Sequence, residues 1–387
     1  MRFDNLPIKQ ICQVTAGQSA PQGERNYCNN GTPFIKAGNL EYLVSGGDEF
    51  SIQQVSAEVA KAYGLKIAKA GSVVFAKSGM SSLKGYVYTL KHNCYVVNHL
   101  AILTPVKCDS EYLNICLQVY RPSSLVKDAA FPSIALKDIK NMTLPIPSLE
   151  AQKEFVKKVK GEVEQIDLLR NRFISTLKQT RALYFNEINK SLEKKSNWVP
   201  RSMDQLCHIT SQLVDPRDEQ FLELLHIGGA NIVSQIGELR DLLTAQEEKL
   251  ISGKYLFDET MVVYSKLRPH LMKVARPDFR GLCSADMYPL KPKSCITKDF
   301  LYYLLLSKDF TTYAIDGSAR AGMPKVNRDY LFKYETFIPH SIDEQKVIAE
   351  HLEKIREQCI QIENNFSIAI KYCDLLKTAR LKEEFES

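Results

Sequence analysis

The chain repeats itself in two halves. The stretch "SLEAQKEFV", which begins at Ser148, is echoed by "SIDEQKVIA", which begins at Ser341, 193 residues later in a chain of 387. Four further pairs recur in the same order at offsets of 189 to 195: "IKQIC" with "MDQLC", "FIKAGNL" with "HIGGANI", "GSVVFAKSG" with "TMVVYSKLRP", and "FPSIALKDI" with "MPKVNRDYL". A repeat requires both copies to form the same kind of unit. We therefore predict a duplicated fold with short loop insertions.

Each copy begins with a longer part that mixes strand-like and helical segments. The runs "SVVFA", "YVVNHLAIL" and "MVVYS" are rich in β-branched and aromatic residues, which favour strands. Near the end of each part lies an apolar run of helical length, "EYLNICLQVY" in the first copy and "DFLYYLLLS" in the second. We expect an α+β fold with two tandem, similar mixed domains, residues 1–148 and 197–340.

Each copy ends in a long segment with a heptad pattern of apolar residues. In the second copy the seam positions are separated by steps that alternate between 4 and 3 residues. Subtracting 193 gives the matching positions of the first copy, where Glu162, Thr176 and Thr180 interrupt the pattern and are expected to loosen the seam. The predicted seam residues are Phe155, Val159, Ile166, Leu169, Phe173, Leu183, Ile348, Leu352, Ile355, Cys359, Ile362, Phe366, Cys373 and Leu376.

The heptad segments, residues 149–196 and 341–387, are predicted to be two long helices that separate the domains. From Ile348 to Leu376 the second helix would extend about 42 Å. A long amphipathic helix can also be a buried core element of a single domain. Because each segment follows a mixed domain and contains no proline, we favour an antiparallel coiled coil of the two helices, with a pseudo-twofold relation between the copies.

The repeated phrase marks the start of each long helix. Ser341 is a typical N-cap, and Glu344 three residues later completes a capping box. Ser148 can cap the first helix, but Ala151 stands where the box needs glutamate or glutamine. Capping does not use the Gln-Lys pair in either phrase, so the role of these pairs is left open.

The charge of the chain is unevenly distributed. The whole chain carries a net charge of +6, whereas residues 1–196 carry 26 Lys and Arg against 17 Asp and Glu. A basic half suggests an anionic partner such as nucleic acid, although a solvated surface explains it equally well. No run of 18 apolar residues is present, and the first residues do not form a signal peptide, so we expect a cytoplasmic protein without a membrane partner.

The sequence has no motif that indicates catalysis or a metal site. It contains no GxxxxGK[ST] phosphate loop, no GxGxxG, no HExxH, and no Asn/Asp-Pro-Pro-aromatic motif of the kind that amino-methyltransferases use on a flipped adenine. The ten cysteines include no CxxC pair, which favours free thiols in a reducing compartment over zinc. We interpret the chain as non-catalytic, without a metal or cofactor of its own.

Taken together, these segments resemble the specificity subunit of type I restriction-modification systems. The residues that carry the resemblance are "LPIPSLEAQKEFV", "FIPHSIDEQKVIA", "TPFIKAGNL", "AGSVVFAKSG", "VVYSKLRPHLMKVA" and "CSADMYPLKP", and the likeness extends over essentially the whole chain. The chain departs from the family pattern at His340, which is inserted between Pro339 and Ser341. It also lacks an extra helix before the first domain.

The resemblance implies a DNA-reading role. Each mixed domain would be a target recognition domain that reads one half of a bipartite, asymmetric site on double-stranded DNA. The paired helices would set the spacer and dock two copies of a DNA adenine methyltransferase (modification) subunit, which would carry S-adenosylmethionine. A motor-nuclease restriction subunit would join to make the restricting form.

Loops that follow strands supply the candidate DNA contacts, because base edges and phosphates are read by exposed donors and by Lys or Arg. For each residue a plain surface turn is the competing interpretation, and for Asn39 and Asn231 a turn fits equally well. In the first domain the candidates are Lys36, Asn39, Lys77, Ser78, Ser81, Lys84 and Tyr86. In the second domain they are Asn231, Ser265, Lys266, Arg268, His270, Arg320, Lys325 and Asn327.

Two other classes of function fit parts of the sequence. A scaffold or adaptor would use duplicated protein-binding domains and a coiled coil, without DNA; the basic first half argues against it. An enzyme with an unrecognised site would have to methylate or cleave DNA as the purified chain alone.

Overall fold

A computed structural model of the chain describes residues 4–209, 213–318 and 324–386. The chain divides into two compact units, Met1–Ile174 with Ile368–Ser387 and Ser175–Ser367. Each unit therefore combines one mixed domain with a segment of each of the two long helices. The two mixed domains are called head domains below.

From residue 4 onward, where the structure describes it, the first head domain contains nine short strands and five helices, and the first long helix follows it. The strands are β1 (Asp4–Pro7), β2 (Cys12–Ala16), β3 (Thr32–Ile35), β4 (Gln54–Val55), β5 (Val73–Ala76), β6 (Val87–Thr89), β7 (Tyr95–Val96), β8 (Leu100–Pro105) and β9 (Thr143–Ile146). The helices are α1 (Ile8–Ile11), α2 (Leu40–Val44), α3 (Ala57–Ala62), α4 (Ser110–Val119), α5 (Leu136–Asn141) and the long α6 (Leu149–Ser191).

The second head domain, as far as the structure describes it, has eleven strands and four helices and precedes the second long helix. Its strands are β10 (Trp198–Ser202), β11 (Cys207–His208), β12 (Leu213–Val214), β13 (Leu225–Ile227), β14 (Leu243–Thr244), β15 (Lys254–Phe257), β16 (Val262–Ser265), β17 (Val274–Ala275), β18 (Gly281–Ser284), β19 (Met287–Pro292) and β20 (Glu335–Pro339). Its helices are α7 (Met203–Leu206), α8 (Lys298–Leu306), α9 (Lys308–Asp316) and α10 (Arg328–Leu331), followed by the long α11 (Ile342–Glu386).

Both head domains share one four-stranded sheet and one two-stranded ribbon, as the repeat predicts, and differ in a second sheet. A four-stranded antiparallel sheet has the order β2-β8-β5-β6 in the first domain and β11-β19-β16-β17 in the second. A two-stranded ribbon, β1 with β9 and β10 with β20, joins the beginning of each domain to its end. A second sheet is three-stranded in the first domain, β4-β3-β7, and five-stranded in the second, β12-β15-β18-β13-β14.

The core of each head domain lies between the four-stranded sheet and the predicted apolar helix. In the first domain α4 buries Tyr112, Leu113 and Cys116 completely. In the second, α8 is buried along almost its whole length, from Phe300 to Leu306. The run "YVVNHLAIL" forms two strands, β7 and β8, rather than one, because a turn closed by the hydrogen bond from Leu100 N to Val97 O separates them (3.0 Å).

Within the first unit, α6 and α11 pack side by side in an antiparallel arrangement. Arg170 Nε lies 2.8 Å from Asp374 Oδ1, and Lys377 Nζ lies 2.7 Å from Asp167 Oδ2. Arg380 also pairs with Glu162. As residue numbers rise along α6 they fall along α11, so the antiparallel pairing predicted from the heptads is observed here.

The same antiparallel pairing holds within the second unit. Arg181 donates two hydrogen bonds to Glu363, from Nε to Oε1 (2.5 Å) and from Nη2 to Oε2 (2.8 Å). Farther along, His351 Nε2 lies 3.1 Å from Glu187 Oε1. The Arg–carboxylate fork is the geometry that holds both groups most strictly in place.

Three predicted seam residues do not lie in the seam. Leu169, Leu183 and Leu376 are 45%, 69% and 59% exposed, so this part of the prediction is wrong. The next residue along the helix is buried or half-buried in each case: Arg170, Tyr184 and Lys377. The other predicted seam residues are buried or half-buried.

The physical cause of the error is helical drift. A straight helix has 3.6 residues per turn, so a strict heptad register rotates about 20° per heptad relative to it. The helix compensates with one extra step of four residues, which moves the contact face by one residue and leaves Leu169 and Leu183 outside it. The buried side of α6 passes from Phe155 through Val159 to Val163 in two successive steps of four, and then continues at seven-residue spacing through Arg170, Leu177 and Tyr184.

The polar residues that interrupt the first heptad pattern are satisfied in the structure. Glu162 forms an ion pair with Arg380 of α11. Thr180 Oγ1 donates a hydrogen bond to the Thr176 carbonyl one turn earlier (2.9 Å). The expectation that they loosen the pairing is not supported at Glu162, which contributes an ion pair between the helices.

Serine caps both long helices. Ala151 N donates to Ser148 Oγ (3.3 Å), and Glu344 N donates to Ser341 Oγ (3.4 Å). The Glu344 carboxylate accepts hydrogen bonds from the side chains of Trp198 (3.1 Å) and Asn197 (3.2 Å), which lie in the segment that enters the second head domain.

The glutamine of each repeated phrase is fully buried and fixes the junction between head domain and long helix. Gln152 accepts from Asp109 N (2.8 Å) and donates to the Pro147 carbonyl (2.9 Å). Gln345 accepts from Thr297 N (2.9 Å) and donates to the Pro339 carbonyl (3.0 Å).

Asp109 and Thr297 are the N-caps of α4 and α8, the main core helices of the two head domains. Each glutamine therefore ties the start of a long helix to the start of a core helix. The lysines that follow, Lys153 and Lys346, are exposed.

Candidate nucleic-acid interface

Two loops meet in the first head domain, and together they form the first loop pair, residues 77–84 and 131–134. Ser78 bridges Ser133 in antiparallel fashion. Gly79 N donates to the Pro132 carbonyl (2.9 Å), and Ile134 N donates to the Lys77 carbonyl (2.7 Å). The first loop follows β5 and includes a 3₁₀ turn at Met80–Leu83.

The second head domain builds the same arrangement, the second loop pair, from residues 266–271 and the described residues 324–327. Leu267 bridges Lys325. Arg268 N donates to the Pro324 carbonyl (2.9 Å), and Val326 N donates to the Lys266 carbonyl (2.9 Å). The three backbone contacts match those of the first loop pair one by one, although the loops differ in sequence.

The two loop pairs present different side chains to solvent. In the second, Arg268, His270, Lys325 and Asn327 are all exposed, and three of these carry or can carry a positive charge. In the first, Phe131 and Met80 are 83% and 67% exposed. Sequence reasoning missed both apolar residues, because its search for DNA contacts considered only polar and charged types.

Two candidates of the second domain are buried. Ser265 is 5% exposed, and its hydroxyl donates to the Leu267 carbonyl (3.4 Å). Lys266 is 8% exposed; its ammonium donates to the Ala285 carbonyl and lies 5.2 Å from the centre of the Tyr288 ring. Direct DNA contact by these two side chains is not supported, since they are already enclosed by protein.

The surroundings of Lys266 disfavour its charged form. Burial lowers the pKa of its ammonium, and the nearby positive charge of Lys325 lowers it further, while Asp286 opposes the shift. The carbonyl partner and the Tyr288 ring offset part of the desolvation. Lys266 is therefore held inside the protein, whereas Arg268 and Lys325 of the same loop pair are exposed.

The corresponding candidates of the first domain are half-buried. Lys77 donates its backbone N–H to the His99 carbonyl (2.9 Å), and Ser78 Oγ lies 2.7 Å from His99 Nδ1. Ser81 belongs to the 3₁₀ turn at Met80–Leu83. The structure brings Lys77, Ser78 and Ser81 together with the 131–134 loop.

Lys36, Asn39 and Asn231 hold turns. Asn39 Oδ1 accepts from Lys36 N (2.8 Å), and the Lys36 ammonium donates to Gln53 Oε1 (2.6 Å) and lies over the Tyr27 ring. Asn231 Oδ1 accepts from Gly228 N in the same way (2.8 Å). Of the two interpretations of these asparagines, the structure supports the turn.

Lys84, the last residue of the loop 77–84, and Tyr86 line a cleft of about 210 Å³. Its lining includes Arg121 from the head domain and Arg170 and Lys377 from the long helices, all within the first unit. Lys84 Nζ pairs with Glu41 at 3.1 Å. Burial raises the pKa of the Tyr86 hydroxyl, an effect that Glu41 reinforces.

Arg320 lies outside the described residues. Among residues 4–209, 213–318 and 324–386, no group of three or more His, Cys, Asp or Glu side chains is placed to hold a metal ion. In the same part of the chain, none of the helices combines the length and the apolar character needed to cross a membrane.

The sequence matches a known protein family twice. Residues 2–179 and 195–372 each match the family described as the type I restriction modification DNA specificity domain. The chain belongs to this family. Each specificity domain includes one head domain with its loop pair and most of the long helix that follows, so the family repeat and the structural repeat coincide.

Individual members of the family are similar along most or part of the chain. The type I restriction enzyme EcoDI specificity subunit of Escherichia coli is 27% identical over 350 residues, which cover 81% of this chain and 77% of that protein. The type I restriction enzyme MjaIX specificity subunit of Methanocaldococcus jannaschii is 27% identical over 178 residues, covering 45% of this chain and 40% of that protein.

A solved structure of a type I restriction-modification system, described for its complex assembly and conformational transition, contains a chain with the same fold. It aligns over 99% of this chain and 97% of its own length with a TM-score of 0.58, at 15% identity. The DNA specificity family and this fold agree with the expectation drawn from the repeated phrases.

Proposed function

We propose that this specificity-domain protein reads a bipartite, asymmetric DNA site, one half with each head domain. The observation that carries the proposal is the recurrence of the loop pair: the same backbone contacts place different exposed side chains in the two domains. Two readers with one geometry and two chemistries are suited to two half-sites of different sequence.

In this proposal the long helices set the distance between the half-sites. Duplex DNA presents equivalent major-groove faces about every 10 base pairs, or about 34 Å. Helices of 43 and 45 residues are long enough to span that distance. The base pairs between the half-sites would be left unread.

The proposed partners are two copies of a DNA adenine methyltransferase subunit, which would supply S-adenosylmethionine and the chemistry. The chain itself would be non-catalytic and would act in the cytoplasm. A motor-nuclease subunit would join the complex for restriction. Specific DNA binding would then require the modification subunits, with little binding by the isolated chain.

An apolar stripe on α11 supports the docking of a helical partner. Ile368, Tyr372, Leu375 and Leu376 are all exposed and follow one another at helical spacing. Leu376 borders the contact face beside Cys373, and the other three lie farther round the helix from it. We assign this stripe to the modification subunit, since a lone exposed apolar stripe is unfavourable in water.

Domain exchange tests the proposal. Residues 1–148 are replaced by the corresponding domain of another specificity subunit, and the hybrid is expressed with the modification subunit in a host that lacks other adenine methylation. Methylome sequencing should show one half of the motif changed and the other half intact. The reciprocal exchange of residues 197–340 is the control and should change only the other half.

A scaffold function predicts a different result. If the chain only assembled proteins, exchange of either head domain would leave the methylated motif unchanged. Methylation or cleavage of DNA by the purified chain alone would instead indicate an enzyme. Either result would contradict the proposed function.

A further inference from the structure

Gly79 and Arg268 occupy the same position in the two loop pairs. Each donates its backbone N–H to the proline carbonyl of the opposing loop at 2.9 Å. Each immediately precedes a 3₁₀ turn, and each has a positive φ, 74° for Gly79 and 49° for Arg268. The residue type differs, and so does ψ, which is 176° at Gly79 and 63° at Arg268.

This backbone position favours glycine. A side chain in the left-handed region brings Cβ close to the following carbonyl, which glycine avoids. Arg268 also precedes Pro269, and a residue before proline is ordinarily extended. An arginine here is therefore unfavourable for the fold, whereas the glycine of the first domain is not.

The contacts of the Arg268 side chain do not offset this strain within the protein. The residue is exposed, and among residues 4–209, 213–318 and 324–386 its guanidinium has no hydrogen-bond or ion-pair partner. Strained backbone positions that carry an exposed functional group are characteristic of binding sites. The exposed guanidinium is therefore available to a ligand outside the chain.

We propose that Arg268 reads a guanine in the major groove of the half-site that belongs to the second head domain. The guanidinium fork matches the O6 and N7 acceptors of guanine, which is the commonest specific contact between protein and DNA. Lys325, paired with the neighbouring Leu267, is exposed beside it and is suited to a phosphate contact.

The local anchoring supports a base reader rather than a mobile charge. Arg268 is fixed by the Pro324 carbonyl on one side and by the hydrogen bond from Leu271 N to its own carbonyl on the other (2.8 Å). Beneath it, Lys266 is enclosed by protein, as described above. At the equivalent position of the first domain, Gly79 has no side chain, so the first half-site must be read by other residues.

The test compares Arg268→Lys and Arg268→Gly with the unchanged chain, each in the complex with its modification subunit. Lysine keeps the charge but loses the two-pronged fork, so preference for guanine at one base pair should fall about 10- to 100-fold. Methylome sequencing should show that base pair relaxed, with every other position of the motif unchanged. Glycine should relax the same base pair while the thermal midpoint stays the same or rises.

Lys249→Gly is the matched control, because Lys249 is also an exposed cation with a positive φ (53°) but lies in a different turn of the same domain. It should raise the thermal midpoint by a similar amount and leave the motif unchanged.

The inference rests on the proposed half-site reading, and the outcomes separate the two. If Arg268→Lys keeps the complete motif and only Arg268→Gly weakens binding to all sequences alike, Arg268 contacts a phosphate and the inference is overturned. An unchanged motif in both variants overturns it as well. If the unchanged complex shows no sequence preference at all, the proposed function itself fails.

Discussion

A buried glutamine fixes the start of each long helix at the level of single residues. Gln152 and Gln345 use both ends of the side-chain amide, one toward a core-helix N-cap and the other toward the proline that precedes the long helix. This answers the question that the repeated Gln-Lys pair raises. The buried glutamine joins the long helix to the head domain through its hydrogen bonds, which is called its fastener role below. The lysine is a surface residue.

Removal of either glutamine should destabilise its own unit. Gln152→Ala or Gln345→Ala leaves a buried N–H and a buried carbonyl without partners, at a cost of about 1–3 kcal/mol. The free energy of unfolding in urea measures this. Lys153→Ala and Lys346→Ala are controls that should stay within about 0.5 kcal/mol of the unchanged chain. Equal effects of the glutamine and lysine variants would contradict the fastener role.

Two buried tyrosines offer a second contrast at this scale. The Tyr112 hydroxyl donates to the Pro145 carbonyl (2.8 Å), whereas the buried Tyr184 hydroxyl has no partner in the part of the chain that the structure describes. Tyr112→Phe should therefore lower the free energy of unfolding by about 1 kcal/mol, while Tyr184→Phe should leave it unchanged or raise it. Thermal denaturation of both variants measures the change in stability. A larger loss of stability for Tyr184→Phe would show that the Tyr184 hydroxyl has a partner.

At the scale of elements, the long helices show how a correct pattern can give a wrong contact face. The heptad register follows the pairing in α11 as far as Cys373 and departs from it at Leu376. Charged residues such as Arg170, Asp167 and Lys377 take half-buried places in the actual contact face. These residues form ion pairs between the two helices, Arg170 with Asp374 and Lys377 with Asp167.

The corrected contact face predicts opposite results for two leucines on α11. Leu381 is 1% exposed and packs in the core of the first unit, so Leu381→Ala should cost about 2–5 kcal/mol. Leu376, which the heptad pattern places in the seam, is exposed, so Leu376→Ala should cost less than about 0.5 kcal/mol. Urea denaturation measures the free energy of unfolding of both variants. A similar loss in the two would indicate that Leu376 does lie in the contact between the helices, as the heptad pattern predicts.

Leu376→Ala has a second expected effect, which belongs to the proposed docking stripe. Together with Tyr372→Ala it should weaken capture of the modification subunit without lowering stability. Leu183→Ala, an equally exposed leucine on α6, is the control and should leave capture unchanged. If Leu183→Ala alone weakened binding of the modification subunit, the docking surface would lie on α6 and not on the stripe.

For the whole molecule, the charges around the loop pairs should govern the salt dependence of DNA binding. Phosphate contacts release counterions, so affinity falls as salt rises, by about one unit of logarithmic slope for each contact. Lys325→Ala should reduce the slope by about 1 at every DNA sequence, whereas Lys382→Ala, on α11, should not change it. Binding of the complex measured at several salt concentrations tests this; equal slopes for all three proteins would remove Lys325 from the interface.

The spacer role of the helices is also a property of the whole molecule. Insertion of four residues, about one turn, into both long helices adds about 6 Å, which corresponds to about two base pairs of duplex. Methylome sequencing should show the same half-sites with a wider gap. Insertion into one helix alone should disrupt the pairing and abolish specific methylation. An unchanged gap in the double insertion would reject the helices as the ruler.

Several features of the fold could be predicted from the sequence because they depend on near neighbours along the chain. The serine caps, the strand run at 72–76 and the apolar helices at 110–119 and 298–306 all follow from local propensity and periodicity. The duplication itself is evident from the phrases that recur in the same order in both halves of the sequence. Several candidate DNA contacts could not be placed in this way: Lys84 and Tyr86 line a cleft shared with the long helices, and Ser265 and Lys266 are buried.

The sequence by itself determined that this protein has two similar mixed domains, each followed by a long capped helix, and that it belongs with DNA specificity subunits. Only the tertiary structure decided which loops meet, which helix face is buried, and where the two loop pairs differ. Those features depend on contacts between residues far apart in the chain, such as Gly79 with Pro132 and Arg268 with Pro324. No local pattern encodes such contacts, because they are fixed by the register of the whole sheet rather than by any one element.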